Sequence, residues 1–146
     1  MARKVFFSFK YEDVARAMVV RNSGVIQGSE KAGFLDKAEF EAIERTGNAG
    51  IQRWIDAQLS GTSVTAVLVG ANTNRSRWVK YEIDQSIKRG NGLLGIDISK
   101  VAALNLPTTN CCEEMPKNYS FYLWNKDEGH LNLGSWIEKA AKAAGR

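Results

Sequence analysis

Short apolar runs rich in β-branched and aromatic residues alternate along this chain with segments in which apolar residues recur every three or four positions. Runs of the first kind predict strands, and segments of the second kind predict helices. The predicted strands are Lys4–Phe9, Val25–Gly28, Ser63–Gly70, Leu93–Ile98 and Ser120–Trp124. The predicted helices are Glu12–Asn22, Lys37–Glu44, Asn48–Leu59, Ser76–Arg89 and a C-terminal helix that begins at Ser135, with Glu138 as its capping-box partner.

Strands that alternate with helices are typical of a parallel sheet covered by helices on both faces. The 146 residues therefore predict one α/β domain over residues 1–146, a flavodoxin-like three-layer sandwich with a central, mostly parallel five-stranded sheet. We expect a loop over Lys31–Asp36 and an irregular insertion at about 99–118. In such sheets ligands bind beyond the carboxyl ends of the strands, so chemistry is expected in the turns after Phe9, Gly70 and Ile98.

Composition narrows the classes of partner. The net charge is +4 and no run of five basic residues occurs, so the pattern of a nucleic-acid binder is absent and an anionic small ligand such as a dinucleotide is weakly favoured. The two cysteines are adjacent, which argues against a disulfide framework and a cysteine metal site. No apolar stretch approaches the ~18 residues of a membrane span, and the basic start turns polar too soon for a signal peptide. We therefore expect a cytoplasmic protein that binds neither membrane nor metal.

The helix before the insertion carries the first candidate for chemistry. Its buried stripe is expected at Val79, Ile83 and Ile87. Glu82 lies about 100° round the helix from Ile83 and four residues after Trp78, so the carboxylate and the indole share one strip at the rim of the buried face. Such a pair could line a cleft, or Glu82 could be a surface carboxylate that pairs with a neighbouring cation.

The end of the first strand carries the second candidate, the run Phe7-Ser8-Phe9-Lys10-Tyr11. Period-two alternation places Phe7 and Phe9 on one face of the sheet and Phe6 and Ser8 on the other. Ser8 is then a small polar group in an apolar setting. Lys10 and Tyr11 follow in the turn, where a cation and a hydroxyl could meet phosphate or ribose. A packed strand that enters a polar loop explains the same pattern.

A small polar turn, which contains Asn72, leads from Gly70 into the helix of Glu82. Its backbone N–H groups could hold an anion. The turn lacks both the GxGxxG pattern and the GxxxxGK[ST] phosphate loop, so the Rossmann and P-loop classes are excluded. His130, the single histidine, has no nearby Asp or Ser arrangement that suggests a catalytic triad.

Together these segments resemble a TIR domain. KVFFSFKYED resembles the first-strand motif of that family, in which a Phe, a Ser and an aromatic residue precede a basic turn, and TAVLVG resembles its third strand. RWVKYEI resembles the segment W-V-x-x-E-I of NAD-cleaving TIR proteins, whose glutamate is catalytic. FFSFKYED, RAMVVRNS and GANTNRSRWVKYEID are together similar to the TIR-like subunit of the Thoeris anti-phage system, ThsB. The resemblance covers about residues 3–98.

The resemblance implies an enzyme that senses phage infection and cleaves NAD+ at the bond between nicotinamide and ribose. Its product would be an ADP-ribose-derived signal, cyclic or conjugated, that activates a separate effector protein. NAD+ is then a substrate, no cofactor is implied, and the protein is expected to self-associate. By this resemblance Glu82 is the catalytic residue. The residues expected to bind the substrate are Ser8, Phe9, Lys10, Tyr11, Asp36, Asn72 and Trp78.

Two other classes of function stay open at this point. The same fold could serve as a non-catalytic module that only associates with other TIR domains. A flavodoxin-like or receiver-like domain is less favoured, because receivers need an acidic cluster at the end of the first strand, where this chain has Phe9, Lys10 and Tyr11.

Overall fold

A computed structural model describes residues 4–21, 30–32, 37–73, 76–101 and 119–146. Its centre is a parallel sheet whose strands lie in the order β2-β1-β3-β4-β5. The strands are β1 (Lys4–Ser8), β2 (Glu30–Ala32), β3 (Val64–Val69), β4 (Gly92–Asp97) and β5 (Ser120–Leu123). The predicted α/β class with a parallel sheet is confirmed. The strand order is that of flavodoxin-like folds, in which the chain reverses its direction of winding between β1 and β3.

Within the described ranges, five α-helices and one 3-10 turn accompany the strands. They are the 3-10 turn Tyr11–Asp13, α1 (Val14–Arg21), α2 (Lys37–Glu44), α3 (Gly47–Leu59), α4 (Arg77–Lys88) and α5 (Gly129–Ala143). None of the helices in the described part of the chain has the length and hydrophobicity that crossing a membrane requires.

Helices cover both faces of the sheet. One face packs against α1 and α5 in a cluster that includes Phe7, Leu68, Ile96 and Leu133. The other face packs against α3 and α4, where Phe6 contacts the apolar residues of α3. Every residue of β3 and β4 is buried, which explains why these two strands are apolar along almost their whole length.

The second strand lies later in the chain than predicted. Glu30–Ala32 pairs in parallel with Lys4–Phe6, so the loop predicted from Lys31 is wrong at its start. The remainder of that loop, and the strand predicted at Val25–Gly28, lie outside the described residues. A three-residue strand at the edge of a sheet is held through backbone hydrogen bonds with one neighbour, which leaves little side-chain pattern to detect.

The C-terminal helix begins at Gly129 and not at Ser135, so the predicted capping box is wrong. Glu128, with φ of 53°, turns the chain in the left-handed conformation just before the helix. A side chain at Gly129 would overlap the indole of Trp124. The Gly129 N–H also donates to the Trp124 carbonyl over 2.8 Å, so the chain turns tightly against this ring where α5 begins.

The insertion predicted at about 99–118 lies mostly outside the described residues, since the structure describes the chain to Val101 and again from Tyr119. The described ends show how it leaves and rejoins the sheet. Ser99 donates its backbone N–H to Asp97 Oδ1 over 2.8 Å, directly after β4. Ser120 then pairs with Leu94 at the start of β5.

Candidate active site

The turn after β1 and helices α2, α3 and α4 enclose a cleft of about 250 Å³. The cleft opens at the switch point between β1 and β3, where ligands bind in folds of this order. Its lining is mainly aromatic and aliphatic. The lining residues are Phe7, Phe9, Lys10, Tyr11, Ile43, Glu44, Ile51, Trp54, Ile55, Ser76, Trp78 and Glu82.

Glu82 lies in the middle of the buried face of α4, since only 6% of its surface is exposed. The buried residues of this helix are Val79, Glu82 and Ser86, whereas Ile87 is 43% exposed. The predicted stripe is therefore wrong at Ile87, and Glu82 is more deeply placed than the predicted rim position. A carboxylate therefore occupies the buried face of α4, where helices usually place apolar residues.

A buried hydroxyl pair holds α4 in this rotation. Ser86 Oγ donates to the carbonyl oxygen of Glu82 over 2.7 Å and lies 2.7 Å from Thr65 Oγ1 of β3. Thr65 also receives the side-chain amide of Asn91 at 3.4 Å. These contacts turn Glu82 and Ser86 toward the sheet and leave Ile87 partly exposed.

Burial raises the pKa of the Glu82 carboxyl well above its ordinary value of 4.5, and the nearby Ser8 hydroxyl opposes this in part. Ser8 is fully buried and, as predicted, lies on the same face of the sheet as Phe6. Its Oγ has no partner with full hydrogen-bond geometry among the described residues. Ser8 is thus a buried neighbour of the Glu82 carboxyl, but unlike Phe9, Lys10 and Tyr11 it is not among the residues that line the cleft.

Trp78 lines the cleft one helical turn before Glu82, as the spacing predicts. Its ring meets that of Tyr81 edge to face, with centroids 5.9 Å apart. The Arg77 guanidinium lies 4.8 Å from the Trp78 ring centroid, and Arg77 Nη2 donates to Asn48 Oδ1 over 2.6 Å. Contacts on two sides thus restrain the indole beside the cleft.

Phe9, Lys10 and Tyr11 also line the cleft, so the turn after β1 contributes the three residues predicted there. Lys10 Nζ lies 2.7 Å from Glu12 Oε1. The ammonium group therefore stands at the cleft with a carboxylate partner from its own turn.

Asn72 does not line the cleft. Its side-chain amide donates to Glu12 Oε2 over 3.2 Å, so it reaches the site only through Glu12. The N–H of Gly70 donates to Thr73 Oγ1 over 2.8 Å and is occupied within the turn that was considered for anion binding. Asp36 lies outside the described residues.

The sequence pattern did not predict that α2 and α3 form one wall of the cleft. It includes Ile51, Trp54 and Ile55 of α3 and Glu44 of α2. The apolar period of α3 does reveal a buried face at Ile51 and Ile55 with Trp54 beside it. What the sequence does not reveal is that this face packs next to α4, because no local pattern specifies which helices become neighbours.

A buried ion pair braces the loops behind the cleft. Arg16 Nη1 lies 2.9 Å from Asp13 Oδ1, and Arg16 Nε donates to the carbonyl of Val101 over 3.2 Å. Burial raises the pKa of Asp13 although the Arg16 charge opposes it. The Asp13 carboxyl also fills the space where a side chain at Gly70 would stand. The ends of β1, β3 and β4 are thereby joined. Within the described residues, no cluster of three His, Cys, Asp or Glu side chains could hold a metal ion.

Two comparisons show which known proteins this chain is similar to. Residues 6–103 match the model of the family described as "Thoeris protein ThsB, TIR-like domain". A protein of Bacillus cereus (strain MSX-D12), named "Putative cyclic ADP-D-ribose synthase ThsB1", is 38% identical over 143 residues, which cover 93% of this chain and 72% of the relative. The matched family segment contains Ser8, at the end of β1, and the whole of α4 with Glu82.

Proposed function

Because this chain belongs to the family of Thoeris ThsB proteins with a TIR-like domain, we propose that it cleaves NAD+ at the bond between nicotinamide and ribose. The product is an ADP-ribose-derived nucleotide, cyclic or conjugated, that activates a separate effector protein in anti-phage defence. The name of the Bacillus cereus relative supports this chemistry. The observation that carries the proposal is the buried Glu82 carboxyl, which lies on an aromatic cleft beside Ser8.

The reaction suits a site with one acidic group. An ordinary glycosidase needs an acid to protonate the leaving oxygen as well as a second carboxylate. Nicotinamide leaves as a neutral pyridine, so no acid is required. What remains is the positive charge that develops on the ribose, and a carboxylate in a partly dry pocket stabilises such charge more strongly than one in water. In its ionised form Glu82 faces this cation and holds the ribose hydroxyls.

The other lining residues fit the remaining parts of the substrate. Trp78 or Phe9 stacks on a ring of the dinucleotide, while Lys10 and Tyr11 contact phosphate or ribose. A cleft of about 250 Å³ lies just below the ~300–1,000 Å³ typical of ligand pockets. It therefore accommodates the nicotinamide riboside half, with the phosphates toward Lys10 and the adenosine half toward solvent. NAD+ serves as substrate, and cleavage of a glycosidic bond transfers no electrons to a cofactor.

Mass spectrometry of small molecules from phage-infected cells tests the proposal with the trigger present. Cells carrying the wild-type protein are expected to lose NAD+ and to accumulate an ADP-ribose-derived nucleotide. Cells carrying Glu82→Gln are expected to do neither. Asp84→Asn is the matched control, because it removes an exposed carboxylate from the same helix and should behave as wild type.

The main alternative is a non-catalytic TIR-like module that acts only by associating with other proteins. It predicts that defence persists in Glu82→Gln cells and that no new nucleotide appears in any of the three strains. Such a result would show that the function depends on surface contacts with other proteins and not on the cleft.

A further inference from the structure

Lys10 supplies the positive charge in the lining of the cleft. Among the described lining residues Lys10 is the only cation, and Glu44 and Glu82 supply two carboxyl groups. A ligand that carries phosphate therefore meets one side chain able to neutralise it directly. A group that binds the Lys10 ammonium therefore affects the binding of ligands with phosphate more than the binding of ligands without it.

Glu12 holds that ammonium group. Lys10 precedes the 3-10 turn Tyr11–Asp13, which places Glu12 Oε1 2.7 Å from Lys10 Nζ. The other carboxylate oxygen, Oε2, accepts the side-chain amide of Asn72 over 3.2 Å. The hydrogen bonds from Lys10 and Asn72 lower the pKa of Glu12, so it is ionised at neutral pH. Both carboxylate oxygens are thus engaged, one of them by the cation of the cleft.

We propose that Glu12 is a specificity-determining residue, which competes with the phosphate groups of a ligand for Lys10 and so weakens the binding of phosphate-bearing ligands to the cleft. The inference rests on the proposed function in taking a dinucleotide as the ligand. Lys10 and Glu12 side chains are 33% and 44% exposed, and exposed pairs of this kind are weak. An entering phosphate can therefore displace the Glu12 carboxylate into water at small cost.

Asn72 has a defined part in this arrangement. It was predicted to bind the substrate, but its amide restrains Glu12 and does not face the cleft. Loss of this restraint in Asn72→Ala should loosen the carboxylate and shift ligand affinity in the same direction as loss of Glu12, to a smaller extent.

Isothermal titration calorimetry with two probes tests the inference. ADP-ribose carries the pyrophosphate and lacks the bond to nicotinamide, and nicotinamide carries neither that bond nor a phosphate. Glu12→Gln is expected to lower the Kd for ADP-ribose about two- to fivefold, which corresponds to ~0.4–1 kcal/mol and lies within the range of exposed ion pairs. The Kd for nicotinamide should not change.

Two further variants distinguish loss of the contact between Lys10 and Glu12 from a general effect of net charge. Asp84→Asn changes the net charge by the same amount as Glu12→Gln but lies outside the cleft lining, and it should leave both Kd values unchanged. In a Lys10→Met background, Glu12→Gln should give no gain in ADP-ribose affinity, because the group for which the anions compete is gone.

The inference is overturned if Glu12→Gln leaves ADP-ribose affinity unchanged or weakens it, or if Asp84→Asn reproduces the gain. Measurement of nicotinamide release from NAD+ by the same protein samples keeps this result apart from the proposed function. If the gain in ADP-ribose affinity requires Lys10 but the protein releases no nicotinamide, the competition for Lys10 is supported and the proposed enzyme activity is rejected. If the protein releases nicotinamide but Glu12→Gln gives no gain in affinity, the enzyme activity is supported and the competition is rejected.

Discussion

Burial of the Glu82 carboxyl ties the stability of the fold to pH and, under the proposed function, the activity as well. Its folded-state pKa is raised well above 4.5, chiefly by desolvation. The protonated group is therefore favoured in the fold, and the stability that it contributes is complete below the unfolded-state value. That contribution is lost as the pH rises through the folded-state pKa, because the folded protein must then carry a buried charge.

The first prediction is that Glu82→Gln raises the melting temperature at neutral and alkaline pH. The neutral amide avoids the buried charge, and ~1 kcal/mol shifts the melting temperature of a domain of this size by about 2–4 °C. The difference from wild type should shrink as the pH falls toward 4.5. Thermal unfolding followed by circular dichroism from pH 4 to 8 measures it. Equal destabilisation at every pH would show that Glu82 has an ordinary structural role.

The second prediction concerns catalysis, because the proposed mechanism needs the ionised carboxylate. The kcat/KM for NAD+ should fall tenfold for each pH unit below the raised pKa of Glu82 and level off above it. Nicotinamide release measured across the same pH range gives the profile. A rate that is flat down to pH 4.5 would mean that no group with a raised pKa acts in the free enzyme.

Sequence patterns located these residues better than they described their surroundings. The four-residue spacing correctly placed Trp78 and Glu82 on one side of a helix, and strand alternation correctly placed Ser8 opposite Phe7. The helical period did not predict that Glu82 is buried, because it places Ile83 and Ile87 at the core positions of α4. The hydrogen bonds of Ser86 decide the rotation of the helix, and they depend on Thr65, which is 21 residues away.

At the scale of elements, the third prediction tests the contact that orients α4. Ser86→Ala removes the hydroxyl that joins the Glu82 carbonyl to Thr65 in the buried interface. The free energy of unfolding in urea should fall by about 1 kcal/mol. Ser135→Ala, at an exposed position within α5, is the matched control and should change it by less than ~0.5 kcal/mol. If both substitutions changed the free energy of unfolding equally, the Ser86 hydroxyl would not be the contact that orients α4.

The fourth prediction concerns the packing of α5 on β4. A side chain at Gly92 would meet the backbone of Ala140, which cannot rotate away as a side chain could. Gly92→Ala should therefore lower the free energy of unfolding by about 1–3 kcal/mol, measured by urea unfolding. Stability equal to that of wild type would mean that α5 is free to move away from the sheet.

Elements with a strong internal pattern were predicted well, and boundaries that depend on contacts outside the element were not. The strands β3 and β4 are apolar throughout, and their predicted positions agree with the structure within a residue or two. By contrast, Glu30–Ala32 is a strand only through its pairing with β1. The start of α5 depends on the contact of Gly129 with Trp124. Neither contact leaves a periodic signal in the chain.

For the whole molecule, strand order accounts for the position of the site. The order β2-β1-β3-β4-β5 puts the switch point between β1 and β3, and the cleft with Glu82 lies there. The alternation of strands and helices was enough to predict that the functional site lies at this end of the sheet. It did not predict that α2 and α3 would close the cleft, since they form the crossover to β3 and their packing is a property of the complete fold.

The most direct test of the central claim is nicotinamide release from NAD+ by the purified protein and its Glu82→Gln variant, with and without a filtrate from phage-infected cells. The account predicts release by wild type and a loss of about 100-fold or more in Glu82→Gln, with the variant folded by circular dichroism. Equal release by both proteins would contradict the assignment of Glu82 as the catalytic carboxylate.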